Sequence, residues 1–185
     1  MVAHRFPRLV SLACHDLRTP LATVNGFAKT LARGEALGER EARFVGLITA
    51  GAEQMASLLD MLALAARIES GRYEPVLTSA DTFELATSAD ERIVTDGAGE
   101  TIETDVSAVR HSLESLARCA ALHGGISRVT WLVDGRRLSL SPLGESADVV
   151  MGESPRDLGA LVARLAIEQL GGTLARDDDS LLVLL

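Results

Sequence analysis

The sequence predicts an α+β chain, a long antiparallel helical hairpin followed by a small α/β sandwich, on three observations. Apolar residues recur every three or four positions from Phe6 to Leu31 and again from Phe44 to Ile68. Beyond Glu74 that rhythm gives way to short runs rich in β-branched residues, alternating with shorter helical stretches. The chain is 47% hydrophobic but only 3% aromatic, so its cores must be built from Leu, Val and Ala, as in helix bundles.

The first helix is expected over residues 6–33. Phe6, Leu9, Ala13, Leu17, Leu21, Val24, Ala28 and Leu31 follow one another at steps of three or four, the mark of a single buried stripe. Gly34 is the expected stop, and a short turn ends near Gly38. The second helix is expected over residues 39–68. Glu39 and Glu41 lie in its first turn, where carboxylates oppose the positive end of the helix dipole. Phe44, Ile48, Ala52, Met55, Leu59, Leu62 and Ala66 form one stripe, and Leu58, Met61, Ala65 and Ile68 a second. Arg67, Gly71 and Pro75 end the helix. Two helices joined by a short turn cannot bury faces this broad against each other alone, so pairing with a second copy into a four-helix-bundle homodimer is expected.

The remainder divides the chain into an expected helical domain, residues 1–73, and an α/β domain, residues 74–185. Val76-Leu77 and residues 92–95 read as strands. Residues 106–122 read as a helix with Val109, Leu113, Leu116 and Ala120 in phase. Residues 129–133 and 137–140 read as strands joined at Asp134-Gly135, a hairpin signal. Residues 157–170 read as a helix stopped by Gly171-Gly172, and residues 180–185 as a last strand. Helices packed on one sheet follow. Asp177, Asp178 and Asp179 read as a solvated turn.

Bulk properties exclude several partners. A formal net charge of −8 speaks against nucleic acid and against an anionic membrane surface. No apolar run reaches the roughly 18–20 residues of a bilayer span, and no signal peptide is read at the start. Cys14 and Cys119 form no C-x-x-C, and the four histidines show no metalloprotease-type spacing, so no disulfide framework or metal site is expected and the setting is expected to be a reducing cytoplasm.

The chemistry concentrates in residues 11–21, S-L-A-C-H-D-L-R-T-P-L. On a helix, Ser11, His15 and Thr19 share a face. His15 lies about 200° from Ala13 and Leu17, away from the apolar stripe and toward solvent. Asp16 sits about 100° further round, placed to hold the imidazole tautomer and raise its nucleophilicity. Pro20 removes a backbone N–H and bends the helix just after the site. Taken singly, these residues read as ordinary helix surface, Arg18 as outward charge and Cys119 as a small core residue. Together they suit a histidine that carries a phosphoryl group.

H-D-L-R-T-P-L-A resembles the H-box of sensor histidine kinases of the HisKA type, and L-A-A-R-I-E-S-G-R-Y resembles the exit of the same dimerisation and phosphotransfer domain. The resemblance implies His15 as phosphoacceptor, Asp16 as acid/base and Thr19 as the residue that positions a water for dephosphorylating a docked partner. The following half resembles the GHKL-type ATP-binding domain of such kinases in degenerate form. The N-box asparagine that holds Mg²⁺ aligns with Cys119 and an earlier one with Ser115, while the usual lysine and tyrosine become Leu122 and His123. The D-x-G-x-G loop reads S-P-L-G-E-S-A-D, with Gly144 kept and the aspartate absent. In the lid, Gly159 remains and a partner glycine is Asp157.

The expectation is a two-component phosphotransfer protein that exchanges a phosphoryl group between His15 and receiver-domain aspartates. It would need no ATP and bind no strong cofactor, with Mg²⁺ supplied by the receiver. Leu12, Arg18, Ala22 and the facing turn of the second helix would form the contact zone. Two alternatives stay open: the cytoplasmic fragment of a sensor histidine kinase with a divergent ATP lobe, and a non-catalytic pseudokinase partner.

Overall fold

A computed structural model describes residues 5–33 and 37–185. The expected stop at Gly34 lies outside the described residues, as do the side chains of Phe6, Leu9 and Ser11. The chain divides into two compact units, residues 1–72 and 73–185.

The first unit is a helical hairpin of α1 (Arg5–Ala32) and α2 (Glu39–Glu69). α1 continues through Pro20. That is tolerated because the ring removes a single N–H from the ladder. Glu39 and Glu41 occupy the first turn of α2, and Arg67 the last. The hairpin interior is made of small residues. Cys14 and Ala28 on α1 and Val45, Ala52 and Ala66 on α2 are buried, with Leu21, Asn25, Ala56 and Leu59 half-buried between them. Their steps of seven, four and three residues keep to a heptad, the seam of a coiled coil.

The expected single stripe of α1 is therefore split. Leu21 and Ala28 line the hairpin, but Leu17, Val24 and Leu31 remain exposed. The stripe of α2 divides likewise, with Ala52 and Ala66 inside and Phe44, Ile48 and Met55 outside. Small residues let the two backbones approach, and that geometry carries the bulkier side chains round to a second face.

The expectation of no membrane-length segment needs correcting. By length and composition, α2 is long and apolar enough to cross a bilayer. Two of its carboxylates nevertheless pair with α1: Lys29 Nζ lies 2.8 Å from Glu53 Oε1, and Arg18 Nη2 lies 2.6 Å from Asp60 Oδ1. Polar residues interleaved with two apolar stripes are the pattern of a bundle helix.

The second unit is a mixed sheet covered by helices. Its elements are β1 (Thr78–Asp81), α3 (Thr82–Ala86), β2 (Ile93–Gly99), β3 (Thr101–Thr104), α4 (Val106–His123), β4 (Val129–Gly135), β5 (Arg137–Ser141), α5 (Ala147–Val150), α6 (Leu158–Gln169), β6 (Thr173–Asp177) and β7 (Ser180–Leu184). The main sheet has the order β2-β4-β5-β7-β6, with β2 and β4 parallel and the other neighbours antiparallel. β1 and β3 form a separate antiparallel pair.

One face of the sheet supplies Val129, Trp131, Val133, Leu138, Leu140, Leu181 and Val183 to a core shared with Val109, Leu113, Leu116 and Ala120 of α4 and Ala160, Ala163 and Ile167 of α6. These are period-2 and period-3.6 patterns meeting across one layer. Leu132 and Leu184, on the opposite face, are exposed. The Asp134-Gly135 signal closes the β4–β5 hairpin, Gly135 taking the left-handed φ of 59° that glycine adopts without strain.

Several expected elements move. The strand expected at Val76-Leu77 begins at Thr78, because pairing with β3 rather than local apolarity sets its register. α3, β3, α5 and β6 have no clear sequence signal, being short or lacking apolar alternation. Asp177–Asp179 form a turn between β6 and β7, but Asp179 is not merely solvated. Its Oδ1 accepts the N–H groups of Leu143 at 3.1 Å and Gly144 at 2.7 Å, anchoring the loop after β5.

Asp105 fastens the start of the second unit. Its carboxylate caps α4 by accepting the Ala108 N–H at 3.0 Å, and it also accepts the Tyr73 hydroxyl at 2.9 Å and the Val76 N–H at 3.4 Å. Burial pushes its pKa up, but these hydrogen bonds outweigh burial and hold it below the usual carboxylate value. Asp105→Ala is expected to destabilise the unit by about 1–2 kcal/mol in denaturant unfolding at neutral pH. A lowered folded-state pKa means this contribution is present above the unfolded-state value and is lost as pH falls through the folded one. The difference between wild type and variant therefore shrinks on acidification.

Candidate functional site

His15 stands in the middle of α1 with its side chain 78% exposed, one residue past the buried Cys14. The seam dictates this. Cys14 faces the partner helix, so the next side chain turns about 100° toward solvent. The imidazole Nδ1 lies 3.1 Å from Asp16 Oδ1. A carboxylate can only accept, so the pair places the proton on Nδ1 and leaves the Nε2 lone pair pointing away from the protein. The contact is direct, through neighbouring residues rather than across a helical turn.

Thr19 is exposed one turn along, and its carbonyl accepts the Thr23 hydroxyl at 3.1 Å. Arg18 differs from expectation. It is not free surface charge but reaches across the hairpin to Asp60. With both partners about half exposed, this ion pair adds little stability. It joins the two helices one turn from His15. Leu12 and Ala22, the other expected contact residues on α1, are exposed.

The buried thiol of Cys14 has no role in this arrangement, as helix neighbours face different ways.

In the second unit the residues at the positions where the family resemblance would put nucleotide and Mg²⁺ do not fit them. Cys119 is 1% exposed in the core. Burial, and then the negative charge of Asp157, push its thiol up to about 12. It therefore offers a neutral soft sulfur where Mg²⁺ requires hard oxygen. Asp157 caps α6, its Oδ1 accepting the Ala160 N–H at 2.9 Å. The end of that helix, a natural place for a phosphate, is thus filled by the chain's own anion. Gly144 keeps a left-handed φ of 54°, yet the carboxylate of Asp179 turns inward to its amide rather than outward to a base. No nucleotide chemistry is derived from these residues.

The fold does bring together three residues that the sequence reading did not connect. Cys119 and His123 lie one turn apart on α4, and His123 Nε2 is 3.2 Å from Asp157 Oδ2. A C-x-x-x-H spacing on a predicted helix was the available signal. The third member, 34 residues beyond His123, was not.

Residues 8–71 match the family described as the His Kinase A (phospho-acceptor) domain. Among curated proteins, the chain is 30% identical over 123 residues to the sensor protein DivL of Caulobacter vibrioides, covering 63% of this chain and 16% of that protein. It is 35% identical over 74 residues to an uncharacterized sensor-like histidine kinase of Rhizobium meliloti, covering 38% of this chain and 14% of that one. The chain thus spans a small fraction of the length of these relatives. Among solved structures, full-length ShkA in complex with AMPPNP matches with a TM-score of 0.61 at 18% identity, over 96% of this chain and 44% of ShkA. The Acinetobacter baumannii histidine kinase AdeS matches with a TM-score of 0.54 at 15% identity, over 92% of this chain and 96% of the AdeS chain. These likenesses establish a shared fold. Residues 8–71 thus form a His Kinase A (phospho-acceptor) domain of the histidine kinase type, and the chain as a whole shares the fold of histidine kinase structures.

Proposed function

We propose that this chain is a histidine phosphotransferase of a two-component phosphorelay, working as a homodimer and exchanging phosphoryl groups with receiver-domain aspartates without ATP. The observation that carries this reading is the His15–Asp16 pair: an exposed imidazole whose Nδ1–H is held by a carboxylate and whose Nε2 is open to a docking partner.

The Nε2 lone pair attacks the phosphorus of an aspartyl phosphate. An N–P bond forms as the acyl P–O bond breaks, and the receiver's carboxylate leaves with the electron pair. The proton stays on Nδ1, where Asp16 stabilises the positive charge that develops on the ring. The reverse step delivers the group to a second receiver. Mg²⁺ arrives with the receiver and neutralises the phosphoryl oxygens. Thr19, one turn from His15, is placed to orient a water toward a docked aspartyl phosphate. The misfit of Cys119 and Asp157 to a nucleotide supports ATP independence.

The homodimer is supported by the exposed face of the hairpin. Leu17, Val24, Leu31, Phe44, Leu47, Ile48 and Met55 each leave about half or more of their surface in water. Fully burying one such side chain is worth about 1.5–3 kcal/mol, so a second hairpin covering this face gains substantially.

The intact fold of the second unit favours a second reading, a kinase whose lobe has diverged in its contacts. Labelled phosphoryl donors separate the two. With a phosphorylated receiver, label is expected on the wild-type chain and none on His15→Gln; with ATP and Mg²⁺ alone, no label is expected. ATP-dependent labelling of His15 overturns the transferase reading in favour of the kinase. Silence toward every donor favours a non-catalytic partner.

Asp16→Asn is expected to slow transfer about 100-fold with the fold unchanged, measured by rapid-quench labelling. Thr19→Ala is expected to leave loading of His15 intact while slowing loss of phosphate from the receiver. Sedimentation equilibrium is expected to give twice the chain mass for the wild type and a monomer for a Val24→Glu, Leu47→Glu double variant.

A further inference from the structure

We propose that Cys119, His123 and Asp157 form a binding site for a single divalent ion of the Zn²⁺ class. The proposal concerns the second unit and stands apart from phosphotransfer at His15.

One donor atom from each of the three residues lies within 4.8 Å of the others. A tetrahedral zinc with bonds of about 2.0–2.3 Å holds its ligand atoms roughly 3.3–3.8 Å apart. The His123 Nε2 to Asp157 Oδ2 separation of 3.2 Å is already close to that range, and modest side-chain rotation brings the sulfur in. The backbone supplies the geometry from two directions. Cys119 and His123 stand one turn apart on α4, as i,i+4 ligands do, and Asp157 faces them from the start of α6.

Asp157 is held for the purpose. Its Oδ1 accepts the Ala160 N–H, which orients the carboxylate and turns Oδ2 toward His123, where a metal would replace the proton between them. Such a contact behind a ligand is what usually fixes ligand geometry.

The donor set selects the ion. A thiolate, an imidazole and a carboxylate suit zinc, whereas Mg²⁺ requires an all-oxygen shell. Binding releases the thiol proton to solvent and moves the His123 proton from Nε2 to Nδ1 by exchange with solvent, freeing the Nε2 lone pair; the thiolate and carboxylate then balance the charge of the ion within a half-buried site. His123 and Asp157 keep 27% and 21% exposure, so an ion has a way in and a fourth ligand position can be filled by water. The plainer alternative is an ion pair of His123 and Asp157 beside a core cysteine, in which the sulfur takes no part in binding.

The test is a titration of the 185-residue chain, first freed of metal by a chelator, with Co²⁺ as a spectroscopic substitute. One equivalent per chain is expected, with the intense visible bands of four-coordinate cobalt and a thiolate-to-cobalt charge-transfer band that Zn²⁺ abolishes. Zn²⁺ is also expected to raise the thermal midpoint. Cys119→Ala should remove the charge-transfer band and Cys14→Ala should leave it unchanged. Asp157→Asn keeps the helix cap and so keeps the fold, and it should weaken affinity tenfold or more. The proposal is overturned by absence of the band, by its survival in Cys119→Ala, by its loss in Cys14→Ala, or by an Asp157→Asn chain that binds as tightly as wild type. Binding at exposed His15 alone gives no thiolate band and so counts against it.

Discussion

The seam between the two hairpin helices governs the first unit. It is lined by small side chains, Cys14 and Ala28 on one helix and Val45, Ala52 and Ala66 on the other. Small residues at heptad spacing let the backbones approach and fix the rotation of each helix about its own axis. Everything at the candidate site follows from that rotation. With Cys14 inward, His15 is outward and Asp16 is beside it. The bulky residues Leu17, Val24 and Leu31 are exposed as well, set at other angles round the helix from the imidazole.

The second unit separates the demands of folding from those of ligand chemistry. Its core is continuous from Leu85 through Trp131 to Val183, with the large side chains fully buried. The positions that the family resemblance assigns to nucleotide contacts carry structural contacts here. Cys119 packs in the core, Asp157 caps α6, and Asp179 ties down the loop at Gly144. A packed interior constrains volume and polarity, not the identity of surface-facing groups, so the fold by itself does not fix which ligand a chain binds.

The sequence made much of this legible, for reasons that differ by element. Both long helices and α4 were readable because they are long and strongly periodic, and the β4–β5 hairpin because Asp134-Gly135 carries its own turn chemistry. The juxtaposition of residues 15, 16 and 19 was readable because it is local: they are neighbours on one helix, and helical geometry alone relates them. Short elements such as α3 and β3 were not, since their stability comes from Thr82 bridging Gly135 and Glu100, and from the pairing of Thr104 with Thr78, contacts between distant positions. Arg18 was misjudged for the same reason, because its partner Asp60 is 42 residues away.

By itself, the sequence determined the helical hairpin, the exposure of His15 and the change of architecture near residue 73. Each rests on periodicity or on groups a few residues apart. Tertiary structure alone decided how the apolar stripes divide between the hairpin interior and an open face, since periodicity shows that a face is apolar but not what covers it. It also decided that Cys119, His123 and Asp157 meet. The approach of α6 to the end of α4 depends on the packing of both helices over one sheet, and no local pattern encodes it.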